Sequence, residues 1–307
     1  MLIDFLTPED LYPEIMAMSI EKAQNWGILM SHISEAQKHT KGSGVLVAVL
    51  DTGVASHPCL DAAIFGDKVN FTDSQTVLDQ QGHGTHVAGI IAAREIDDNG
   101  VIGVAPEARI MSVKVLNDSA RGNYGWIEQG IHHAISNGAD IINLSLGAAQ
   151  PPPPSLYAAI QEAVAKDIIV ISAAGNDSAA VNYPARYDEV IAVAAIDQQG
   201  NMAHFSSHDS AVDVSAPGVN IYSTSLNNGY AVLNGTSQAA PFVAGVCALL
   251  LSHSRNTAGV EPIKGYLKML EALDSVCDPK GRAGHIGKDG DIGFGIPDFA
   301  NVNWKQP

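Results

Sequence analysis

The sequence has few of the features that mark disulfide-rich, membrane-spanning or nucleic-acid-binding proteins. Its 307 residues include only three cysteines, which are odd in number and widely spaced and so cannot form a disulfide framework. No apolar run approaches the ~20 residues that a membrane-spanning helix needs. There are 17 basic residues against 33 acidic ones, and a net charge of −16 disfavours binding to nucleic acid. We therefore expect a globular protein with no membrane segment and no nucleic-acid partner.

An export signal is also missing from the N-terminus. Residues 1–15 carry acidic side chains where a signal peptide has Lys or Arg, and they contain no sustained apolar stretch. A chain trimmed to a mature secreted form would look the same, but as written the sequence predicts a cytoplasmic protein. Residues 1–25 are mixed in polarity and contain Pro8 and Pro13, which indicates an N-terminal arm outside the main domain of residues 26–307.

Strand-like and helix-like segments alternate through the rest of the chain. Val45–Leu50 is a continuous apolar run of the kind that forms a strand buried on both faces of a parallel sheet. The repetition predicts an α/β fold of three layers, with a mainly parallel central sheet and helices on both faces. Further strands are predicted within 109–116, 140–146, 167–176 and 189–197, helices within 83–94, 124–138, 155–166 and 262–276, a loose helical pattern over 23–39, and a surface tail from 279.

The stretch NGTSQAAPFVAG, residues 234–245, predicts another helix. Thr236 is a candidate N-cap, and the helix is expected to begin near Ser237 because Pro241 is tolerated only close to a helix start. Ser237 would then lie where unpaired backbone N–H groups and the helix dipole favour negative charge. That position suits a nucleophile whose attack creates an oxyanion, although most Gly-Thr-Ser stretches are ordinary caps.

Three further residues follow strands or begin a helix. Asp51 ends the first clear strand, Asn176 follows the strand within 167–176, and His83 begins a helix. In parallel sheets, functional groups gather at the carboxyl ends of the strands. Together with Ser237 they could supply the carboxylate, the oxyanion donor and the base that a serine nucleophile requires.

The segments that carry these residues resemble the signature segments of the subtilisin family of serine peptidases. They are VLVAVLDTGV, GHGTHVAGIIAA, AAGND and NGTSQAAP, in that order, and the resemblance extends over roughly residues 42–300. It implies the three-layer subtilisin-like fold and a serine endopeptidase that hydrolyses peptide bonds through an acyl-enzyme. The acidic chain without an export signal is most similar to the intracellular branch of that family.

The resemblance also implies a role for each residue. Asp51 would orient and stabilise the imidazolium, His83 would act as general base and then acid, and Ser237 would attack the substrate. Asn176 would donate its side-chain amide to the oxyanion, together with the backbone N–H of Ser237. His86, the second histidine of the HGTH segment, is expected to serve the structure.

A substrate cleft is a further implication. The peptide would bind as an added strand between the segments around residues 122–124 and 145–147. Tyr124 and Ile127 would line a pocket for an apolar side chain upstream of the cut, while Asn182 would form the floor of the primary pocket and Asp177 its rim. The implied substrate-binding residues are Gly122, Asn123, Tyr124, Ile127, Ser145, Leu146, Gly147, Asp177 and Asn182.

The resemblance implies structural calcium as well. The segment REIDDNG lies where a calcium loop is expected but matches that loop incompletely, so a solvated turn is the alternative. Its candidate ligands offer the oxygen atoms that hard cations prefer, and they are Asp97, Asp98 and Asn99. A second, weaker cation site is implied at Ala185, Tyr187, Val190 and Asp213.

Two other functions remain open on the same sequence. A peptide ligase or macrocyclase would use the same acyl-enzyme but resolve it with an amine, and a binding module would have lost catalysis. The arm has two interpretations as well. In one, residues 1–25 act as an inhibitory pro-segment across the cleft and are then removed by autoprocessing; in the other, they pack on the domain surface. No long folding prodomain precedes Gly42 in the sequence as written.

Overall fold

A seven-stranded parallel sheet forms the centre of the protein in the computed structural model, which describes residues 3–4, 26–96, 101–278 and 288–304. Its strands are β2 (Leu46–Asp51), β3 (Val69–Asn70), β4 (Arg109–Lys114), β6 (Ile141–Leu144), β7 (Ile169–Ala173), β8 (Ile191–Ile196) and β9 (Val214–Pro217). They lie in the order β3-β4-β2-β6-β7-β8-β9, and every pair is parallel. All six residues of β2 are buried, as predicted for a central strand.

Helices cover both faces of this sheet, which confirms the predicted three-layer α/β fold. Their bounds are α1 (Trp26–Met30), α2 (Ile33–Ala36), α3 (His83–Ala92), α4 (Tyr124–Ser136), α5 (Pro154–Val164), α6 (Thr236–Asn256) and α7 (Gly265–Val276). Alternate residues of β2 enter two different cores. Val47 and Val49 pack with α3 and α6, whereas Ala48 and Leu50 pack with α4 and α5. The period-two alternation of a strand therefore builds both cores from one apolar run.

In the described part of the chain, three short antiparallel pairs lie outside the central sheet. β1 (Ile3–Asp4) pairs with β5 (Arg121–Gly122), and β10 (Ile221–Thr224) pairs with β11 (Tyr230–Leu233). The third pair joins β12 (Cys277–Asp278) to β13 (Ile296–Pro297). The prediction that the tail only wraps the surface was wrong for its described part, because Phe299 is buried to 1% exposure and belongs to the larger core.

Two local predictions need correction. Thr236 is the first residue of α6 and does not cap it, since the capping residue is Gly235 and Thr236 uses its hydroxyl elsewhere. The loose helical pattern over 23–39 forms two separate helices, α1 and α2, because His32 between them adopts a left-handed conformation with φ of 47°. Over the described ranges, no helix combines the length and the apolar character that crossing a bilayer demands.

Candidate active site

Asp51 and His83 form a hydrogen-bonded pair where β2 ends and α3 begins. His83 Nδ1 lies 2.8 Å from Asp51 Oδ1 and 3.0 Å from Oδ2, and it carries the proton because carboxylate oxygens only accept. Asp51 is completely buried, and the backbone N–H of Thr52 donates to its Oδ1 at 2.7 Å. Gly84 permits this close approach, since a Cβ atom there would collide with the carbonyl of Gly53 and with Asp51. The pair has the geometry of a base and its orienting carboxylate.

The pKa of His83 is raised above the ordinary value for histidine. Burial of the imidazole lowers the pKa, but the charge of Asp51, the hydrogen bond that His83 donates to Asp51 and the charge of Asp79 raise it by more. The imidazolium form is therefore favoured over a wider pH range than in a free histidine. A general base must be neutral to accept a proton. Any activity that uses His83 as a base should therefore decline as the pH falls below the raised pKa of His83.

Asp79 is a second buried carboxylate at this site, and sequence reasoning missed it. Its side chain accepts hydrogen bonds from the residues that surround the start of α3, and it is only 1% exposed. These donors are Thr52 Oγ1 at 2.9 Å, the backbone N–H groups of Gln81 (2.9 Å), Gly82 (2.8 Å) and Thr85 (3.0 Å), and Thr85 Oγ1 at 2.6 Å. Asp79 thus satisfies N–H groups that a helix N-terminus leaves unpaired. The only sequence signal was an acidic residue shortly before a predicted helix, which ordinary turns share.

The Thr52 hydroxyl connects Asp79 to the histidine helix. Thr52 Oγ1 donates to Asp79 and accepts the backbone N–H of Gly84 at 2.9 Å. Thr52 directly follows Asp51, and Gly84 directly follows His83. One hydroxyl and one carboxylate therefore hold the two segments that carry the Asp51–His83 pair, which makes Asp79 a positioning residue.

Replacing Asp79 by asparagine should shift the acid limb of the pH profile of kcat/KM to lower pH. Asp51 and Asp79 both favour the imidazolium of His83, whereas the third group facing it, the neutral His86, carries no opposing charge. Removing the charge of Asp79 lowers the pKa of His83, so the base stays neutral at lower pH. Each donor left unsatisfied also costs about 1–3 kcal/mol of stability.

Thr52→Val is the matched control for this experiment. It removes the link between Asp79 and Gly84 but keeps both carboxylates, so kcat should fall while the acid limb stays in place. The two pH profiles are measured with one peptide substrate. An Asp79→Asn profile with the wild-type acid limb would contradict the electrostatic role of Asp79.

Ser237 is the second residue of α6, at the end of the sheet that carries Asp51. It is 2% exposed, and its Oγ donates to the carbonyl oxygen of Ser145 at 3.3 Å. Ser145 Oγ in turn donates to the carbonyl of Ser237 at 2.9 Å. α3 and α6 pack against each other, but within the described residues no hydrogen bond joins Ser237 to His83. Hydrogen bonds between a nucleophile and its general base are often long without substrate and shorten when it binds.

Asn176 lies beside the start of α6 with its amide group held in one orientation. Its Oδ1 accepts hydrogen bonds from the backbone N–H and the hydroxyl of Thr236, both at 2.9 Å. Because the backbone N–H can only donate, this atom must be the oxygen, and the NH₂ group is directed away from Thr236. Gly235 has φ of 150°, and a Cβ there would lie 3.4 Å from Asn176 Nδ2. A glycine therefore leaves space beside the amide donor.

Gln238 directly follows Ser237 in α6 and is buried as well. The resemblance places it where the family usually has methionine. The same hypothetical Cβ atom on Gly235 would lie 2.9 Å from Gln238 Oε1. Gln238 is 1% exposed, and neither atom of its amide finds a hydrogen-bond partner among the described residues. The position after Ser237 thus carries a polar group that methionine would lack.

The predicted cleft residues divide into exposed and buried groups. Gly122 belongs to β5, and Asn123 caps α4 by accepting the backbone N–H of Trp126 at 2.9 Å. Tyr124 is partly exposed and donates its hydroxyl to the carbonyl of Gln150 at 3.2 Å. Ile127 is 1% exposed and lies in the core beneath this surface, so it does not line an open pocket in this state.

The other side of the predicted cleft consists of residues that follow β6 and β7 in the chain. Ser145 and Leu146 are buried, and a Cβ on Gly147 would lie 3.0 Å from the carbonyl of Tyr183. Asn182 is 7% exposed and donates Nδ2 to Asp177 Oδ2 at 2.8 Å. The floor and rim residues of the predicted primary pocket are therefore hydrogen-bonded to each other.

His86 has the contacts of a structural residue. Its Nε2 lies 3.0 Å from the carbonyl of Ile221 and 3.2 Å from that of Ala231, which joins α3 to β10 and β11. Burial is the main cause that lowers the pKa of His86 to about 3. The imidazole is therefore neutral at physiological pH, as its expected structural role requires.

One of the two predicted cation sites lies outside the described residues, whereas the second lies within them. Asp97, Asp98 and Asn99 lie outside the described residues, so the first site stays a prediction. At the second site, Lys288 Nζ lies 2.8 Å from Asp213 Oδ1, which is the only carboxylate of the predicted ligand set. The residues therefore do not fit a cation there. Among the described residues, no group of three or more His, Cys, Asp or Glu side chains is arranged to hold a metal ion.

Comparisons with known proteins cover most of the chain. A family model described as "Subtilase family" matches residues 42–288. An "Intracellular serine protease" from Paenibacillus polymyxa is 46% identical over 236 residues, or 73% of this chain and 72% of that protein. A "Thermostable alkaline protease" from Halalkalibacterium halodurans is 46% identical over 239 residues, or 76% of this chain and 64% of that protein. "Subtilisin Savinase" from Lederbergia lenta is 43% identical over 247 residues, or 79% of this chain and 89% of that protein.

Proposed function

Since the chain belongs to the subtilase family and is a serine endopeptidase, we propose that it cleaves peptide bonds through an acyl-enzyme formed on Ser237. The observation that carries this proposal is the Asp51–His83 hydrogen bond at the start of α3, because α3 packs against α6, whose second residue is Ser237. Ser237 Oγ attacks the scissile carbonyl carbon while His83 Nε2 accepts its proton. Asp51 stabilises the imidazolium that results.

The remaining steps use the same groups. The backbone N–H of Ser237 and the NH₂ group of Asn176 donate to the oxyanion, which develops at the positive end of α6. His83 then protonates the leaving amine, and the C–N bond breaks. A water molecule, deprotonated by His83, releases the acyl group as a carboxylate and restores Ser237. An amine in place of that water would give ligation, the alternative reaction.

The substrate binds as an extended strand on the edge formed by β5. Once β1 has left this edge, the main-chain groups of β5 can form hydrogen bonds to a peptide, and alternate side chains of the peptide then enter pockets. Tyr124, which is partly exposed beside that edge, favours apolar side chains upstream of the cut. Asp177 next to Asn182 allows Lys or Arg in the primary pocket as well.

A serine-directed fluorophosphonate together with an unbiased peptide mixture tests this function. The probe should label Ser237 and nothing in Ser237→Ala, and mass spectrometry of the peptides should show hydrolysis after apolar side chains. Ligated products would favour the ligase, while an unlabelled chain would be a binding module. Cleavage mainly after Asp or Glu would contradict the proposed pockets.

We also propose structural calcium at Asp97, Asp98 and Asn99. A cation that binds only the native state stabilises it by mass action, so chelation with EDTA should lower Tm by about 5 °C or more if calcium had been 100-fold above its Kd. The double variant Asp97→Asn, Asp98→Asn is the control, and EDTA should leave its Tm unchanged. A wild-type unfolding curve unchanged by EDTA and by added calcium would remove this site.

Residues 1–25 are proposed to restrain the enzyme. The pairing of β1 with β5 supports this, because Ile3 lies opposite Gly122 and Asp4 lies opposite Arg121, on the edge that we assign to substrate. A segment paired there competes with a peptide for the same main-chain groups. Pro8 lies outside the described residues; in the cleft its ring would distort the geometry, or remove the backbone N–H, that cleavage requires. The relative named as intracellular supports a cytoplasmic location, where an active peptidase needs restraint.

Deleting residues 1–18 should raise the initial rate of peptide hydrolysis and abolish any lag. Wild-type protein should lose its arm on storage by self-cleavage, while Ser237→Ala should keep it. Intact-mass measurement of both proteins over time reports the cleavage directly. A wild-type chain that retains its arm while fully active would end the inhibitory proposal.

A further inference from the structure

Lys288 forms an ion pair with a buried carboxylate at the place where a second cation is expected. Its Nζ lies 2.8 Å from Asp213 Oδ1 and 3.4 Å from the carbonyl oxygen of Ala211. The side chain of Asp213 is 4% exposed and that of Lys288 is 30% exposed. A buried carboxylate requires a compensating positive charge, and a residue of the chain itself supplies it here.

Two other oxygen atoms of the predicted ligand set also accept hydrogen bonds. Asp213 Oδ2 accepts the backbone N–H of Ala192 at 2.9 Å, and the carbonyl of Tyr187 accepts the N–H of Val190 at 3.0 Å. A metal ion that approached Asp213 would therefore compete with a donor already bound to each carboxylate oxygen and meet an adjacent ammonium group, which repels it. Both features disfavour a cation of any size at this carboxylate.

The same ion pair helps to hold residues 288–304 against the domain. The backbone N–H of Phe294 donates to the carbonyl of Asp213 at 2.8 Å, and the N–H of Ser215 donates to the carbonyl of Gly295 at 2.9 Å. Lys288 lies in the same segment as Phe294, so this segment contacts both the side chain and the backbone of Asp213. The segment that docks on Asp213 therefore also carries the charge that neutralises it.

We propose that the ammonium group of Lys288 replaces the second cation of the family, so that the folded chain binds neither a metal ion nor a monovalent cation at Asp213. The stability of this region then depends on the docking of residues 288–304 and not on the ions in solution.

Thermal unfolding of Lys288→Met tests the proposal, with Ser237→Ala as the background so that self-cleavage does not interfere. Methionine keeps most of the apolar stem but removes the charge, and Tm should fall by about 5 °C because the buried carboxylate loses its partner. Since Lys288 is partly exposed, solvent cations can then reach Asp213. KCl or CaCl₂ should restore at least half of the loss, whereas choline chloride at equal ionic strength should not.

Asp213→Asn and the double variant Lys288→Met, Asp213→Asn complete the experiment. Neither should gain a response to KCl or CaCl₂ beyond that of the Ser237→Ala background, and any calcium bound elsewhere contributes equally to all four proteins. Equal cation responses in Lys288→Met and in the background would overturn the proposal.

A direct binding measurement covers the case in which Lys288→Met does not fold. The Ser237→Ala background and its Asp213→Asn derivative are titrated with Tb³⁺, whose luminescence nearby tyrosines sensitise, and both should bind the same number of ions. One ion fewer in Asp213→Asn would show that Asp213 binds a cation in the presence of Lys288, and the proposal would fail.

Discussion

Ser237→Ala is expected to lower kcat by about 10⁶-fold, and His83→Ala by a similar factor. Subtilisin, a member of the same family, sets this magnitude, since removal of its serine or histidine costs about as much as removal of the whole triad. The residues act as a unit because His83 has no hydroxyl proton to accept once Ser237 is replaced. The double variant should therefore be little worse than either single variant.

Steady-state hydrolysis of one peptide substrate measures these losses, and Ser275→Ala supplies a control. Ser275 makes the same kind of hydroxyl contact on the exposed side of α7, so its loss should leave kcat unchanged. Losses that add up in the Ser237→Ala, His83→Ala double variant would mean that the two residues serve different reactions. Circular dichroism of each variant separates a lost catalyst from a lost fold.

Asn176→Leu is expected to lower kcat by about 10²–10³-fold with little change in KM, a magnitude also known from the corresponding asparagine of subtilisin. The oxyanion exists only after attack, so its donor stabilises the transition state and not the bound substrate. Leucine also removes the acceptor for Thr236, which complicates the interpretation of this variant alone.

Asn176→Asp resolves that complication. Aspartate can still accept both hydrogen bonds from Thr236, but it has no N–H group to donate and places a negative charge near the oxyanion. We expect kcat to fall at least as far as in Asn176→Leu. If Asn176→Asp were fully active, or if either variant changed KM alone, the amide of Asn176 would not be an oxyanion donor.

Local order in the sequence predicted the fold class and most of the elements. The apolar run at Val45–Leu50 has a strand period that suits burial on both faces, and the helical repeats between strands leave few topologies other than a parallel sheet with crossovers. For most elements the observed bounds differ from the predicted bounds by a few residues, because helix and strand ends depend on tertiary contacts. Thr236 illustrates this, because Asn176 takes the hydroxyl that would otherwise cap the helix.

The sequence by itself determined the family, the sheet and the four candidate residues Asp51, His83, Asn176 and Ser237, since each lies in a local motif. Only the tertiary structure revealed what depends on contacts between distant segments. Asp79 became part of the site because it accepts hydrogen bonds from Thr52, which follows β2, and from Thr85 in α3, while its own neighbours in sequence resemble any polar turn. Lys288 and Asp213 form an ion pair although 75 residues separate them in the sequence. No local pattern can predict this pair, because its two residues come together only when the whole chain folds.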